Sequence, residues 1–155
     1  ELRDPHNLGA LLRVIDACGA QGLILPKRRS AGLDAIVAKA SAGAVEHVPV
    51  AKVPNLQQAV DQLKDAGYWI LSADMEGENL YTSETFDSLS TTPLALVLGN
   101  EGKGVSPKLQ EHCDLVLQIP MEGVINSLNV SVAGAVILFE IQRRRHEKLT
   151  QSEEK

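Results

Sequence analysis

The stretch "NSLNVSVAGAVILFE", residues 126–140, decides the fold of the C-terminal part of this chain. Polar residues give way here to an almost unbroken apolar run, which is typical of a helix start followed by a buried helix. One capping side chain is enough for a helix start, yet Asn126, Ser127, Asn129 and Ser131 all stand at this point. The excess indicates that the segment has a second task besides capping a helix.

Length and composition predict one globular domain. The 155 residues are 44% hydrophobic and 23% charged, and the longest apolar run, residues 132–139, is far shorter than the roughly 20 residues of a membrane helix. Cys18 and Cys113 lack a C-x-x-C spacing, which favours free thiols in a reducing compartment and hence a cytoplasmic protein. We expect the domain over residues 1–148 and a flexible polar tail over 149–155. Because the chain opens without Met, we also expect a missing N-terminal domain.

The distribution of charge leaves a nucleic-acid partner open. A formal net charge of −5 argues weakly against one, because phosphate binding depends on Lys and Arg. Two basic clusters, residues 27–29 and 143–145, could nevertheless hold RNA. For the second cluster the alternative is solvated surface charge that complements the end of a helix.

Hydrophobic periodicity predicts an α/β fold. Leu8, Leu11, Leu12 and Ile15 have helical spacing and predict a helix over residues 7–18, with Asn7 as a possible cap and Gly19 at its end. The apolar runs "GLILP", "HVPVAKV", "YWILSAD", "LALVLG" and "LVLQIP" alternate with helical stretches such as residues 55–66 and 107–113. This alternation predicts a mostly parallel sheet covered by helices on both faces, with ligands beyond the carboxyl ends of the strands.

Polar and glycine-rich residues gather in three segments of the chain. They are "DPHNLGALLR" (4–13), "LVLGNEGKGV" (96–105) and "LQIPMEGVINSLNVSVA" (117–133). Taken alone, the first is an amphipathic helix with an exposed Arg13, and the second is a tight turn without either nucleotide-binding glycine fingerprint. The four histidines have no metal-ligand spacing, so we expect no metal. No Ser/His/Asp set is recognisable by spacing either. The three segments could form one site if their strands are neighbours.

In this order, the three segments resemble the motifs of the SpoU/TrmH family of SPOUT methyltransferases, which transfer a methyl group from S-adenosylmethionine to a ribose 2′-hydroxyl in RNA. Residues 26–50, "PKRRSAGLDAIVAKASAGAVEHVPV", are most similar to the bacterial 23S ribosomal RNA guanosine 2′-O-methyltransferases of that family. The resemblance implies a deep C-terminal trefoil knot, an exception to the rule that protein chains are unknotted. It also implies that the missing N-terminal domain binds RNA.

The resemblance assigns a site as well. It implies the cofactor S-adenosyl-L-methionine, held at Leu98, Gly99, Gly102, Ile119, Met121, Leu128 and Asn129, and the catalytic positions Asn7, Arg13, Glu101, Ser127 and Asn129. Arginine keeps its proton far above neutral pH and is therefore a poor base. We therefore expect Arg13 to stabilise the developing alkoxide and hold the target phosphate, with Asn7, Glu101 and Asn129 orienting it and Ser127 positioning the substrate.

The start of the C-terminal helix raises the question of oligomeric state. Val132, Val136 and Phe139 exceed what one helix face needs to bury, and residues 133–135 are small enough for close backbone approach. These residues fit a monomer with a core helix equally well. The family resemblance favours a homodimer, in which Arg13 of one chain lies toward the cofactor of the other.

Alternative functions stay open at this point. A nucleotide-dependent enzyme would use the loop 99–104 to bind ATP or NAD, and a non-catalytic RNA-binding subunit would have lost motif residues, although none is lost here. Within the family, the RNA could be ribosomal, which we favour, or transfer RNA.

Overall fold

The protein, seen here in a computed structural model, is described over residues 2–28, 30–100 and 102–155. Helices and strands alternate along these residues, as the apolar pattern predicts. The helices are α1 (Pro5–Cys18), α2 (Ala35–Ala40), α3 (Leu56–Asp65), α4 (Glu84–Leu89), α5 (Pro107–Gln110) and α6 (Val130–Glu153), with a 3₁₀ turn at Ala44–Glu46. The strands are β1 (Leu23–Pro26), β2 (Val50–Val53), β3 (Trp69–Asn79), β4 (Leu94–Val97) and β5 (Leu115–Gln118).

All the pairings between these strands are parallel, which confirms the predicted sheet type. The single sheet that we expected is instead divided in two among the described residues: β1 pairs with β2, and β3 lies between β4 and β5. The four-residue strands β1 and β2 pair with each other, in register from Leu23 opposite Val50 to Pro26 opposite Val53.

Helices cover both faces of the three-stranded sheet, as predicted. Successive residues of a strand point to opposite faces. Ile70 of β3 packs with Val60 of α3 and Leu109 of α5, whereas Leu71 packs with Phe86 of α4 and Ile137 of α6. The sheet β1–β2 contributes Leu25 to a third cluster, with α1 and α2.

The first helix begins earlier than predicted and has a different cap. Asp4 is the N-cap, its carboxylate accepts a hydrogen bond from the His6 backbone N–H, and Pro5 occupies the first helical position, where a missing N–H costs nothing. Asn7 therefore lies inside the helix, and our prediction that it could cap α1 is wrong. Gly19 ends the helix in the left-handed conformation, as expected.

The last helix is longer than predicted. It begins after Asn129, its N-cap, and continues to Glu153, so most of the expected tail at 149–155 is helical. Two hydroxyls in this part donate to carbonyls one turn earlier, Thr150 to His146 and Ser152 to Lys148. Hydrogen bonding within the helix thus extends through the polar sequence that we read as a tail.

The second basic cluster is part of the fold rather than a free patch. Arg144 is buried: its Nε donates to Glu140 Oε1 at 2.9 Å, its Nη1 to Asp87 Oδ1 at 3.0 Å and its Nη2 to the Leu80 carbonyl at 2.9 Å. Its guanidinium also lies 4.6 Å from the ring centroid of Phe86. Arg144 therefore fastens α6 to α4 and the end of β3.

The two flanking arginines are occupied as well. Arg145 Nε donates to the Ser90 carbonyl at 2.6 Å, and Arg143 bonds to Glu140 and Glu147. The hydrogen bonds of Arg143, followed by those of Arg144, hold the pKa of Glu140 below its ordinary value against the opposing effect of burial. Arg144 and Arg145 thus join α6 to other elements, whereas the half-exposed Arg143 pairs within α6, and the option of an RNA-binding cluster at 143–145 stays a prediction.

In the described part of the chain, no helix combines the length and the hydropathy of a membrane-spanning segment.

Candidate active site

The three polar segments meet at the start of α6. A Cβ placed on Gly134 would lie 3.1 Å from Cδ1 of Leu11 in α1 and 3.0 Å from Cδ1 of Leu98, just after β4. Gly134 is therefore a position of close approach, where even a methyl group would press on both leucines. Helix α1, the end of β4 and the start of α6 are in contact, as the prediction of one shared site requires.

A direct hydrogen bond joins the first segment to the third. Asn129 Nδ2 donates to Asn7 Oδ1 at 2.8 Å, although the two residues are 122 positions apart in the chain. Asn7 is 9% exposed and Asn129 is exposed, so this bond is partly shielded from water. Two residues predicted to be catalytic thus meet side chain to side chain.

Asn129 also carries out the capping that the sequence requires. Its Oδ1 accepts from the backbone N–H of Ser131 at 2.9 Å and from the Ser131 hydroxyl at 2.6 Å. The buried Ser131 therefore fixes which way the Asn129 amide faces, with the oxygen toward α6 and the NH₂ toward Asn7. Sequence reasoning noted Ser131 as a surplus polar residue but gave it no role; its spacing of two from a capping Asn was the available signal.

The glycine-rich second segment is a tight loop. Asn100 and Gly104 exchange two backbone hydrogen bonds of 3.0 Å, and Gly104 has a φ of 66°, in the left-handed region. Gly99 lies against the returning strand of this loop, and a Cβ there would be only 2.1 Å from the Gly104 carbonyl carbon. Only glycine fits at position 99, and this close packing fixes the path of the backbone there.

The side chain of Asn100 is a feature that sequence reasoning missed. Its Oδ1 is buried, and no hydrogen-bond donor lies within reach of it among the described residues. A buried amide oxygen without a donor costs about 1–3 kcal/mol. The second segment therefore offers an unsatisfied acceptor beside the bare backbone of Gly99.

The third segment is irregular and open between β5 and α6. Residues 121–129 are all exposed, and Val124 and Ile125 have relative exposures of 102% and 75%. Ile119 packs partly against the core cluster that contains Leu71, Phe86 and Ile137, which we call the Leu71 cluster. This contact anchors the beginning of the segment. Met121 and Leu128, both predicted to contact the cofactor, are each a little over one-third exposed.

The remaining predicted catalytic residues are placed less closely. Arg13 is exposed on α1, six residues and about 9 Å of helix beyond Asn7, and in the described part of the chain it has no hydrogen-bond or ion-pair partner. Ser127 lies in the exposed third segment, and Gly102 projects into open space at the tip of the loop. Glu101 lies outside the described residues.

The two cysteines and the candidate metal ligands bear on other kinds of site. Cys18 and Cys113 are free thiols, and burial raises the pKa of each, so both stay protonated at neutral pH. Within residues 2–28, 30–100 and 102–155, no group of three or more His, Cys, Asp or Glu side chains is arranged to hold a metal ion.

Comparison with known proteins identifies the family. The sequence model of the SpoU rRNA Methylase family matches residues 1–139. The chain belongs to this family. A TrmH family protein of Staphylococcus haemolyticus, named for tRNA/rRNA methyl transfer, is 47% identical over 146 residues, which are 94% of this chain and 57% of that protein. The chain thus spans a little over half the length of this curated relative.

Two solved SpoU-type structures are similar in fold. AviRb of Streptomyces viridochromogenes, a SpoU methyltransferase in complex with its cofactor AdoMet, has a TM-score of 0.83 at 28% identity, over 95% of this chain and 58% of AviRb. An RNA 2′-O ribose methyltransferase has a TM-score of 0.80, also at 28% identity, over 94% of this chain and 54% of its own. The predicted family and the α/β fold are therefore confirmed.

Proposed function

We propose that this chain is the catalytic domain of an S-adenosylmethionine-dependent RNA methyltransferase that acts on a ribose 2′-hydroxyl, with a guanosine of 23S ribosomal RNA as the favoured target. The observation that carries the proposal is the hydrogen bond between Asn7 and Asn129, which joins the first and third family motifs beside Leu98 of the second. The similar structures whose names give AdoMet binding and ribose 2′-O methylation support it.

The described residues fit the cofactor in two respects. Adenosine has amino and hydroxyl donors, and the buried Asn100 Oδ1 is an acceptor in need of one. Gly99 packs against the Gly104 backbone, which fixes the main-chain groups that a ligand at this loop would contact. We assign Leu98, Gly99, Gly102, Ile119, Met121, Leu128 and Asn129 as the residues that hold the cofactor.

The chemistry requires positioning and charge stabilisation. Bound S-adenosylmethionine would supply a methyl group whose bond to sulfur breaks as a bond to the ribose 2′ oxygen forms, with the hydroxyl proton leaving to solvent. Arg13 stabilises the negative charge that develops on this oxygen, because a guanidinium carries positive charge and donates hydrogen bonds. Asn7, Glu101 and Asn129 orient the reacting groups, and Ser127 positions the substrate ribose.

The same proposal includes a homodimer. Val132 and Phe139, both expected at the interface, are 47% and 43% exposed, whereas Val136 packs partly against the Leu71 cluster of its own chain. A second copy that covers the first two side chains would carry the exposed Arg13 toward the opposite site. A C-terminal trefoil knot, through which the chain from β5 to α6 would pass, and a cytoplasmic location belong to the same proposal.

Two measurements test the activity. Titration calorimetry with S-adenosylhomocysteine should give one site per chain, and saturating ligand should raise the melting temperature, because it binds the native state. Tritiated methyl transfer to undermodified ribosomal RNA, followed by nucleoside analysis, should yield 2′-O-methylguanosine. If only transfer RNA became labelled, transfer RNA would be the substrate instead of ribosomal RNA. Cofactor binding without transfer to any RNA would favour a non-catalytic RNA-binding subunit, and heat with ATP or NAD alone would contradict the proposal.

A further inference from the structure

The chain carries two clusters of consecutive basic residues, and the structure uses them differently. In the cluster at 143–145, every guanidinium bonds to carboxylates or carbonyls of the same chain. In the cluster at 27–29, Lys27 and Arg28 are exposed, and in the part of the chain that the structure describes neither side chain has a hydrogen-bond or ion-pair partner. Lys27 and Arg28 are therefore the exposed cations of the two clusters that have no partner among the described residues.

The turn that carries these charges is braced. We call Lys27, Arg28 and Ser30 the basic turn, which follows directly on β1. Its first residue extends the pairing with β2, since the Lys27 N–H donates to the Val53 carbonyl at 2.8 Å. The Ser30 hydroxyl then closes the turn by donating to the Pro26 carbonyl at 2.7 Å. Lys27 and Arg28 thus follow directly on the paired end of β1.

A backbone hydrogen bond attaches this turn to the segment that leads into the candidate active site. The Ala31 N–H donates to the Leu2 carbonyl at 2.7 Å, and five residues after Leu2 the chain reaches Asn7. Five residues span at most about 17 Å. The basic turn is therefore next to the start of α1, the same end of the helix that places Asn7 against Asn129.

The charge of the surroundings also favours an anion at this place. Residues 1–64 contain eight Lys or Arg and six Asp or Glu, whereas residues 65–155 contain seven and fourteen. Asp4 and Asp34, which flank the turn and α1, each accept hydrogen bonds from helix N–H groups as N-caps, and these bonds hold their carboxylates in place. The N-terminal part of the sequence, which carries the basic turn, thus has a small excess of basic residues, whereas the rest of the chain is acidic.

We propose that the basic turn is a docking surface for the phosphate backbone of the substrate RNA, next to the nucleotide that is presented to Asn7 and Asn129. The proposal rests on the function proposed above. RNA fits because its repeated phosphates match two adjacent cations that have no internal partner, and such contacts position a strand without reading its sequence. The surface would set the direction in which RNA enters the site.

The test compares two variants with the same change of charge. The chain with Lys27→Ala and Arg28→Ala is titrated into a fluorescein-labelled single-stranded RNA, with anisotropy recorded at several salt concentrations. The matched control carries Lys108→Ala and Lys155→Ala, two exposed positions outside the basic turn. We expect weaker binding by the first variant only. The slope of log K against log salt should become shallower by about 1.4, since each phosphate contact to a single strand contributes about 0.7.

Each outcome decides the proposal. Unchanged RNA affinity in the Lys27/Arg28 variant, equal loss in both variants, or no RNA binding by the chain at all would overturn it. Equal displacement of RNA by polyglutamate would reveal a general polyanion or acidic-protein surface instead. Calorimetry with S-adenosylhomocysteine distinguishes a failure of the proposed function from a failure of the proposed docking surface. Failure of cofactor binding by the unmodified chain counts against the proposed function, whereas intact cofactor binding with unchanged RNA affinity in the variant counts against the basic turn alone.

Discussion

Substitution of Gly99 by Ala should damage both the second-motif loop and cofactor binding. The new Cβ would lie 2.1 Å from the Gly104 carbonyl carbon and 2.3 Å from the Val105 nitrogen. Carbon atoms in contact lie about 3.5–4.0 Å apart, so the facing backbone has to move by more than about 1 Å. Both 3.0 Å hydrogen bonds between Asn100 and Gly104 span this place and would be lost.

The magnitude follows from those two hydrogen bonds. At about 0.5–1.5 kcal/mol each, their loss lowers the free energy of unfolding by about 1–3 kcal/mol. For a domain of this size, each kcal/mol lowers the melting temperature by about 2–4 °C. Because Gly99 would hold the cofactor by its backbone, calorimetry with S-adenosylhomocysteine should show a larger relative loss than the melting curve does.

Two other glycines serve as matched controls for Gly99→Ala. Gly123→Ala in the third motif meets no atom within 4 Å and should melt like the unmodified chain. A Cβ at Gly104 would also meet no atom within 4 Å, but the backbone there has a φ of 66°. This left-handed conformation lowers the stability of a Gly104→Ala protein by about 1–2 kcal/mol. A Gly99→Ala protein that melts and binds cofactor like Gly123→Ala would refute both the close packing of this loop and its role in binding.

Three further predictions follow from the same structure. Arg13→Ala should abolish methyl transfer while cofactor affinity and melting temperature stay nearly unchanged. If the site is shared between two chains, mixing this variant with Asn129→Ala should restore up to about half the activity in each mixed dimer. A mixture without restored activity would place Arg13 in the site of its own chain. Phe139→Glu should convert the proposed dimer to a monomer by light scattering, and an unchanged mass would move the interface elsewhere. Because Arg143 lowers the pKa of Glu140 in the folded state, the carboxylate stabilises the fold above its ordinary pKa, and this contribution is lost as the pH falls through the lowered value. Denaturant unfolding along a pH series should show that decline in the unmodified chain and a flatter one in Glu140→Gln.

Much of the fold could be predicted because local signals and burial agree. The apolar run "LALVLG" became β4, Gly19 ended α1, and the parallel pairing followed from the alternation of strands and helices. The cap of α1 was misread because Asn7 and Asp4 both have capping side chains. What separates them is Pro5, which favours the first helical position and so moves the helix start toward Asp4.

The two basic clusters show what periodicity cannot predict. Three consecutive arginines read as surface charge, yet Arg144 is 6% exposed. Its burial depends on Asp87 and on the Leu80 carbonyl, which are 57 and 64 positions away in the sequence. A buried cation needs partners that compensate for its lost hydration, and only the folded chain shows whether they are present. The same reasoning explains why Asn7 and Asn129 were predicted as site residues but not as hydrogen-bonded partners.

The surplus of polar residues before α6 has a physical explanation in the way the third segment is held. Asn129 caps the helix and reaches Asn7, and Ser131 fixes its orientation, whereas Ser127 lies in a stretch that is exposed throughout. In that stretch the side chains of Val124 and Ile125 stand in solvent, a cost that burial against a ligand or a second chain would offset at about 25 cal/mol per Å² of apolar surface. The segment is therefore anchored at its ends and exposed between them, so a ligand or second chain that covers Val124 and Ile125 would stabilise it further.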